Sequence, residues 1–209
     1  MFSLLSETAA TGESSYSSEF FKVYTKGHDT IRGSGVGLVV HPYFVQFIKS
    51  ITFISDRIVH ITVNSRTHPM HFVGVYIPHS GEQHDSIRPK VWNELSAFIA
   101  TLAPSSFIII AGDFNTRLRL RRPEEHDFIG PHLHHPHSAP LDENRNHAIE
   151  LCATHSLCFA NTYRPTKTSQ QITYTEKPPP HLGTIHYHKT TPPSTTASSG
   201  NDGYHHAST

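Results

Sequence analysis

Residues 106–118 read Ser-Phe-Ile-Ile-Ile-Ala-Gly-Asp-Phe-Asn-Thr-Arg-Leu. Positions 107–111 form a continuous apolar run with three isoleucines in succession. Such a run suits a strand buried on both faces rather than one with a wet side. It stops at Gly112, and Asp113 and Asn115 follow two residues apart. In extended chain that spacing points both side chains to one face. A carboxylate and an amide then leave the end of a buried strand together, as an acid–base and hydrogen-bonding pair. The competing reading is a polar turn that closes the strand. The residues alone leave both open.

Working outward from this strand, residues 90–102 read as a helix, with Val91, Leu95, Phe98 and Leu102 on one stripe and Pro89 at its start. Residues 51–63 and 70–77, joined by a turn at 66–69, read as an antiparallel hairpin whose second strand delivers Tyr76 near its end. Residues 35–40 form a strand opened by glycines that permit close backbone approach, and Pro42 closes the run. Residues 2–5 are a short strand that delivers Glu7 into a loop. A polar loop is expected at 9–18 and an aromatic strand at 20–24.

Downstream, residues 117–144 read as a long irregular segment. It carries Arg117, Arg119, Arg121 and Arg122, then five histidines between His126 and His137. Those histidines lack the paired spacing of a zinc site and read as a solvated loop. A helix follows at 143–157, with Ala148, Leu151, Cys152 and His155 on one face, and strands at 158–161 and 171–175. From Lys177 the composition turns to Pro, Ser, Thr and His, which cannot bury enough apolar surface to fold alone. The expected organisation is one domain over residues 1–176 and a disordered tail over 177–209. Short strands alternating with two helices, beside one fully buried strand, point to an α/β domain with a mixed sheet or two sheets.

A chain of 209 residues suits one domain with a sizeable core. With 17 basic and 17 acidic residues, formal charge points to no basic nucleic-acid surface, although 19 histidines add positive charge on mild acidification. The two cysteines, Cys152 and Cys158, match no common zinc spacing and imply no disulfide framework; they read as small buried hydrophobes. No apolar run approaches transmembrane length, so no membrane association is expected.

Four spaced stretches then carry a family likeness: Leu5-Ser-Glu-Thr8, Gly35-Val-Gly-Leu38, Val75-Tyr-Ile-Pro78 and Gly112-Asp-Phe-Asn-Thr-Arg-Leu118. In that order they resemble the endonuclease/exonuclease/phosphatase family, and most of all the apurinic-endonuclease-like endonuclease domains of non-LTR retrotransposons. Glu143-Asn-Arg145, Ala160-Asn-Thr162 and Ile172-Thr-Tyr174 are similar to those retroelement domains as well. The resemblance implies a four-layer α/β/β/α sandwich of two mixed sheets and Mg²⁺-dependent hydrolysis of DNA phosphodiesters, with Mn²⁺ as a substitute. It implies Glu7 as a metal ligand and Tyr76 as the residue that orients the scissile phosphate or acts as an acid partner. It implies Asp113 as activator of the attacking water, and Asn115 as the residue that holds the phosphate or stabilises its transition state. Directly after Asn115, Arg117 and Arg119 are placed to track a phosphate backbone. DNA is the expected partner of a monomeric, intracellular protein.

Such family members also carry an active-site asparagine on a strand ahead of the Glu motif, and end on Asp-Tyr and Ser-Asp-His motifs. Here Gly-Thr-Ile-His-Tyr-His at 183–188 matches Asp-Tyr with His186 in the aspartate's place, and Ser-Asp-His does not occur. The expectation is a fold incomplete at both ends, with unpaired strand edges, and a truncated or decayed copy with impaired activity. A non-catalytic remnant that binds nucleic acid weakly is the alternative reading. A phosphatase acting on nucleotide or lipid phosphates is the third.

Overall fold

A computed structural model describes residues 2–30, 34–79, 81, 84–119, 121–133 and 143–166, together with the backbone of 174–175, 181–182 and 187–189. In chain order the elements are β1 (Phe2–Ser6), β2 (Gly12–Ser17), β3 (Lys22–Gly27), β4 (Val36–Val40), α1 (Pro42–Val45), β5 (Ile48–Phe53), β6 (Ile58–Val63) and β7 (Met70–Tyr76). There follow α2 (Arg88–Ala100), β8 (Phe107–Asp113), α3 (Glu143–His155), β9 (Leu157–Phe159), β10 (Tyr174–Thr175), β11 (His181–Leu182) and β12 (Tyr187–Lys189).

Two sheets result. One has the order β1-β4-β3-β2 and is antiparallel throughout. The other has the order β5-β6-β7-β8-β12-β9, and its β7–β8 pair is parallel. Parallel neighbours need a crossover connection, which here is α2. The apolar periodicity sorts each strand of the second sheet onto two faces. Ile58, Val73, Val75, Ile108 and Ile110 face Val91, Trp92, Leu95 and Ile99 of α2 and Ala148, Leu151 and Cys152 of α3. The intervening positions Val59, Ile61, Phe72 and Tyr76 pack against Leu4, Val36, Leu38 and Val40 of the first sheet. Gly74 marks the closest approach of the sheets, where an added Cβ would press on Leu4 and Val59. Burying these side chains stabilises the fold by about 2 kcal/mol each.

The described residues thus form three layers, helix on sheet on sheet. The four-layer expectation is met only that far, because among the described residues no long helix covers the four-stranded sheet. The expectation of two mixed sheets is likewise corrected: the first sheet is connected by neighbouring or returning strands without a helical crossover, so it is antiparallel. The polar loop expected at 9–18 contains β2. Five of its six residues are exposed, so it shows no alternation to read. The aromatic strand expected at 20–24 starts later, at Lys22. Ser18 Oγ accepts from the Phe20 and Phe21 amides in the preceding turn, leaving Phe20 70% exposed. The run at 51–63 is two strands, because residues 54–57 turn between β5 and β6. The strand expected at 158–161 ends at Phe159 and continues as a 3₁₀ turn, Ala160–Thr162.

β12 lies beyond residue 176, inside the stretch whose composition suggests a tail, and pairs with both β8 and β9. Of the strand expected at 171–175, β10 falls within the described residues. His134, His135, His137 and His186 fall outside them. Cys152 and Cys158 are free and buried, as small hydrophobes would be. Among the described residues no helix is long and apolar enough to cross a membrane.

Candidate active site

The parallel register of β7 and β8 sets Tyr76 beside Asp113 at the carboxyl ends of both strands. Both residues lie on the face turned toward the four-stranded sheet. From that sheet, β1 ends at Ser6 and delivers Glu7 in a left-handed conformation (φ 52°). Tyr76 Oη donates to Glu7 Oε1 at 2.8 Å, a contact between residues 69 positions apart. Gly112 makes the approach of the two strands possible. Its φ is 144°, and a Cβ there would collide with the Val75 carbonyl. Three residues singled out from sequence, Glu7, Tyr76 and Asp113, therefore meet at one end of the seam between the sheets.

Their electrostatics follow from that placement. Burial, then the hydrogen bond and charge of Glu7, push the Tyr76 hydroxyl up to about 12, so it stays protonated as a donor. Burial also raises the Asp113 carboxyl, and the Glu7 charge adds to the rise; the amide of Asn115, donating to Asp113 Oδ1 at 2.9 Å, opposes it. A carboxylate raised in this way holds a proton more readily than one in water, as a general base requires.

Asn115 departs from the extended geometry that the spacing suggested. Its φ is 45°, so the chain turns after Asp113. The Asp113 side chain accepts the Asn115 amide within an Asx-type turn. The Asn115 Nδ2 donates to the Ile77 carbonyl at 2.8 Å, closing the end of β7. Gly-Asp-Phe-Asn is therefore a polar turn, and Asp113 within it lies beside Tyr76 in the strand register. Arg117 is half-buried, and Arg119 is 9% exposed with φ 55°. Their side chains lie largely within the protein, on the loop that leaves the site.

Sequence reasoning missed three supporting groups. Arg57, in the turn before β6, is 5% exposed, and its guanidinium lies 4.9 Å from the Tyr76 ring centroid. The backbone carbonyl of Arg57 accepts from the Tyr76 amide at 2.9 Å. Its Nη1 has no hydrogen-bond partner among the described residues, and it borders a cavity of about 400 Å³ shared with His28, Asp56, Lys90 and Glu94. Nothing in Ser55-Asp56-Arg57 distinguishes this turn from any other. The second group is Asn144, fully buried behind the Asn115 turn. The third is the buried pair Arg145–Glu125, bonded at 2.8 and 2.7 Å. Arg145 Nε also donates to the Leu118 carbonyl, which pins the loop beyond Asn115. Asn144 and Arg145 belong to the Glu143-Asn-Arg stretch; the likeness flagged them, but no sequence rule gave them a task.

Glu7 is exposed and Asp113 is near enough to feel its charge. Two adjacent hard carboxylates with solvent access suit a divalent cation such as Mg²⁺ or Mn²⁺, which keeps several waters. Among the described residues no three His, Cys, Asp or Glu side chains converge, so water and substrate oxygens would complete such a shell.

No curated protein matches the chain. Among solved structures, an endonuclease/exonuclease/phosphatase family protein from Leptotrichia buccalis C-1013-b is similar at 16% identity and a TM-score of 0.49; the match covers 82% of this chain and 61% of that one. This chain therefore spans less than two thirds of that protein's length. The model of the Endonuclease/Exonuclease/phosphatase family, whose members are metal-dependent phosphoester hydrolases, matches residues 3–200. The chain belongs to the endonuclease/exonuclease/phosphatase family.

Proposed function

We propose that the chain is a metal-dependent DNA endonuclease of the non-LTR retroelement type, built on a four-layer sandwich of which the described residues supply three layers. One observation carries the reading: Glu7, Tyr76 and Asp113 arrive from two different sheets and meet at one end of their seam. Asp113 accepts the proton of the attacking water, aided by a carboxyl that burial has made more basic. The protonated Tyr76 hydroxyl, whose one O–H donates to Glu7 in the free protein, orients the scissile phosphate by turning that O–H to a phosphoryl oxygen. Asn115 spends one N–H on Ile77 and has a second with which to donate to a phosphoryl oxygen without adding charge. Glu7 would hold Mg²⁺, with Mn²⁺ as a substitute, and a bound ion would offset negative charge developing on the phosphoryl oxygens. Arg57 adds a buried cation beside Tyr76.

Nicking of supercoiled plasmid tests this. The protein should relax the plasmid in Mg²⁺ and lose that ability in EDTA, and Asp113→Ala should be slower by at least about 100-fold. Nicking that survives Asp113→Ala would sink the reading. The alternative, a non-catalytic remnant that binds nucleic acid weakly without cleaving it, is favoured by the sparse donor set around Glu7 among the described residues. It predicts DNA retention without nicking in the same assay.

A further inference from the structure

Asn144 opens α3 and is completely buried, yet every hydrogen-bonding atom of its amide is occupied by a different segment of the chain. Its Oδ1 accepts from Trp92 Nε1 of α2 at 2.9 Å. Its Nδ2 donates to the carbonyl of Pro78, just past β7, and to the carbonyl of Asn115, just past β8, each at 3.0 Å. The indole can only donate, so it fixes which way the amide faces, and the two remaining contacts must then come from the NH₂. Aspartate would set a carboxylate oxygen against two carbonyls. Glutamine would carry the amide past all three partners. The site accepts asparagine and little else.

The same two loops are stitched a second time, because Asn115 Nδ2 donates to Ile77. Asn115 is held with φ 45°, a conformation that a non-glycine residue adopts at some cost. Its amide in turn meets Asp113. Hydrogen bonds on both sides of the Asn115 backbone, one to its carbonyl and one from its N–H, therefore link Trp92 and Asn144 to Asp113 Oδ1.

We infer that Asn144 is a positioning residue for the reaction: it holds the Asn115 peptide, and through it the Asp113 carboxylate, in the geometry that catalysis needs. The inference rests on the nuclease reading above. Asn144 lies behind the turn and touches no substrate. Its loss lets the Asn115 peptide relax and displaces the attacking geometry while leaving the substrate surface in place, so the effect falls on kcat rather than KM.

The test compares wild type, Asn144→Ala, Trp92→Phe and Asp113→Ala in Mg²⁺-dependent plasmid nicking, assayed well below the Tm of the least stable variant. Trp92→Phe keeps most of the packing and removes only the donor, so it covers the case in which Asn144→Ala does not fold. Expected is a kcat about 10- to 100-fold lower in Asn144→Ala with KM changed less than about threefold, and a loss of about 3- to 10-fold in Trp92→Phe. Trp92 is the single tryptophan of the chain. Its lone indole N–H cross-peak should move upfield in Asn144→Ala, reporting the lost acceptor. The inference is overturned if folded Asn144→Ala keeps kcat within threefold while Asp113→Ala abolishes nicking, or if KM rises with kcat unchanged. A wild type that does not nick removes the nuclease reading first and the positioning role with it.

Discussion

At Gly112 the backbone passes so close to its neighbour that a methyl group would strike the Val75 carbonyl, and φ is 144°. Gly112→Ala should therefore destabilise the protein by about 2–4 kcal/mol, visible as a lower midpoint in urea denaturation. The pair Arg145–Glu125 makes a second demand of this kind, with both side chains at least 97% buried. Burial alone would raise the Glu125 carboxyl, but hydrogen bonds from Arg145 and from the Arg122 amide hold it below its ordinary value. Glu125→Ala leaves a buried guanidinium uncompensated and should cost about 3–5 kcal/mol. Replacing both partners with apolar residues of similar volume should cost much less. A double-mutant cycle on thermal melts separates the two effects.

Among the elements, β6 and β7 carry a rung that no motif announces. His60 and His71 share a buried hydrogen bond at 2.9 Å, with the Phe98 ring of α2 4.8 Å from His60. Burial first, then His71, lowers His60 to about 4; burial lowers His71. Below about pH 6.5 the unfolded chain takes up protons at these rings, whereas folded His60 stays neutral until the pH nears 4 and folded His71 resists its proton in the same direction. The stability that the pair supplies is thus whole above pH 6.5 and drains away as pH falls toward 4, by on the order of 2 kcal/mol. Thermal melts from pH 7 to 4.5 should show it as a Tm loss of roughly 4–8 °C, and His60→Leu should flatten that slope. Elements also show where sequence reading succeeds. α2 and α3 were legible because their apolar positions repeat with the helical period, and β8 because its apolar run is unbroken. β2 was not, since an edge strand exposed on both faces has no burial to impose a pattern. The sequence left extended chain and turn both open after Asp113 because Asn tolerates positive φ, and nothing in Asp-Phe-Asn distinguishes the two until Ile77 is there to accept from the side-chain amide.

Across the whole molecule, motif order singled out the residues that meet at the seam, Glu7, Tyr76 and Asp113, but not the groups that hold them. Arg57, Asn144 and the Arg145–Glu125 pair act through partners 19 to 66 residues away, such as Tyr76 and Pro78. No local spacing encodes such distances. The bond between Tyr76 and Glu7 carries this furthest, since its two ends belong to different sheets. The helix–sheet core can stay intact while the four-stranded sheet pulls away, because the two cores share little but β6 and β7. The contact between Glu7 and Tyr76 then depends on sheet docking rather than on folding as a whole, and a chain that keeps its helices can already have opened that clasp.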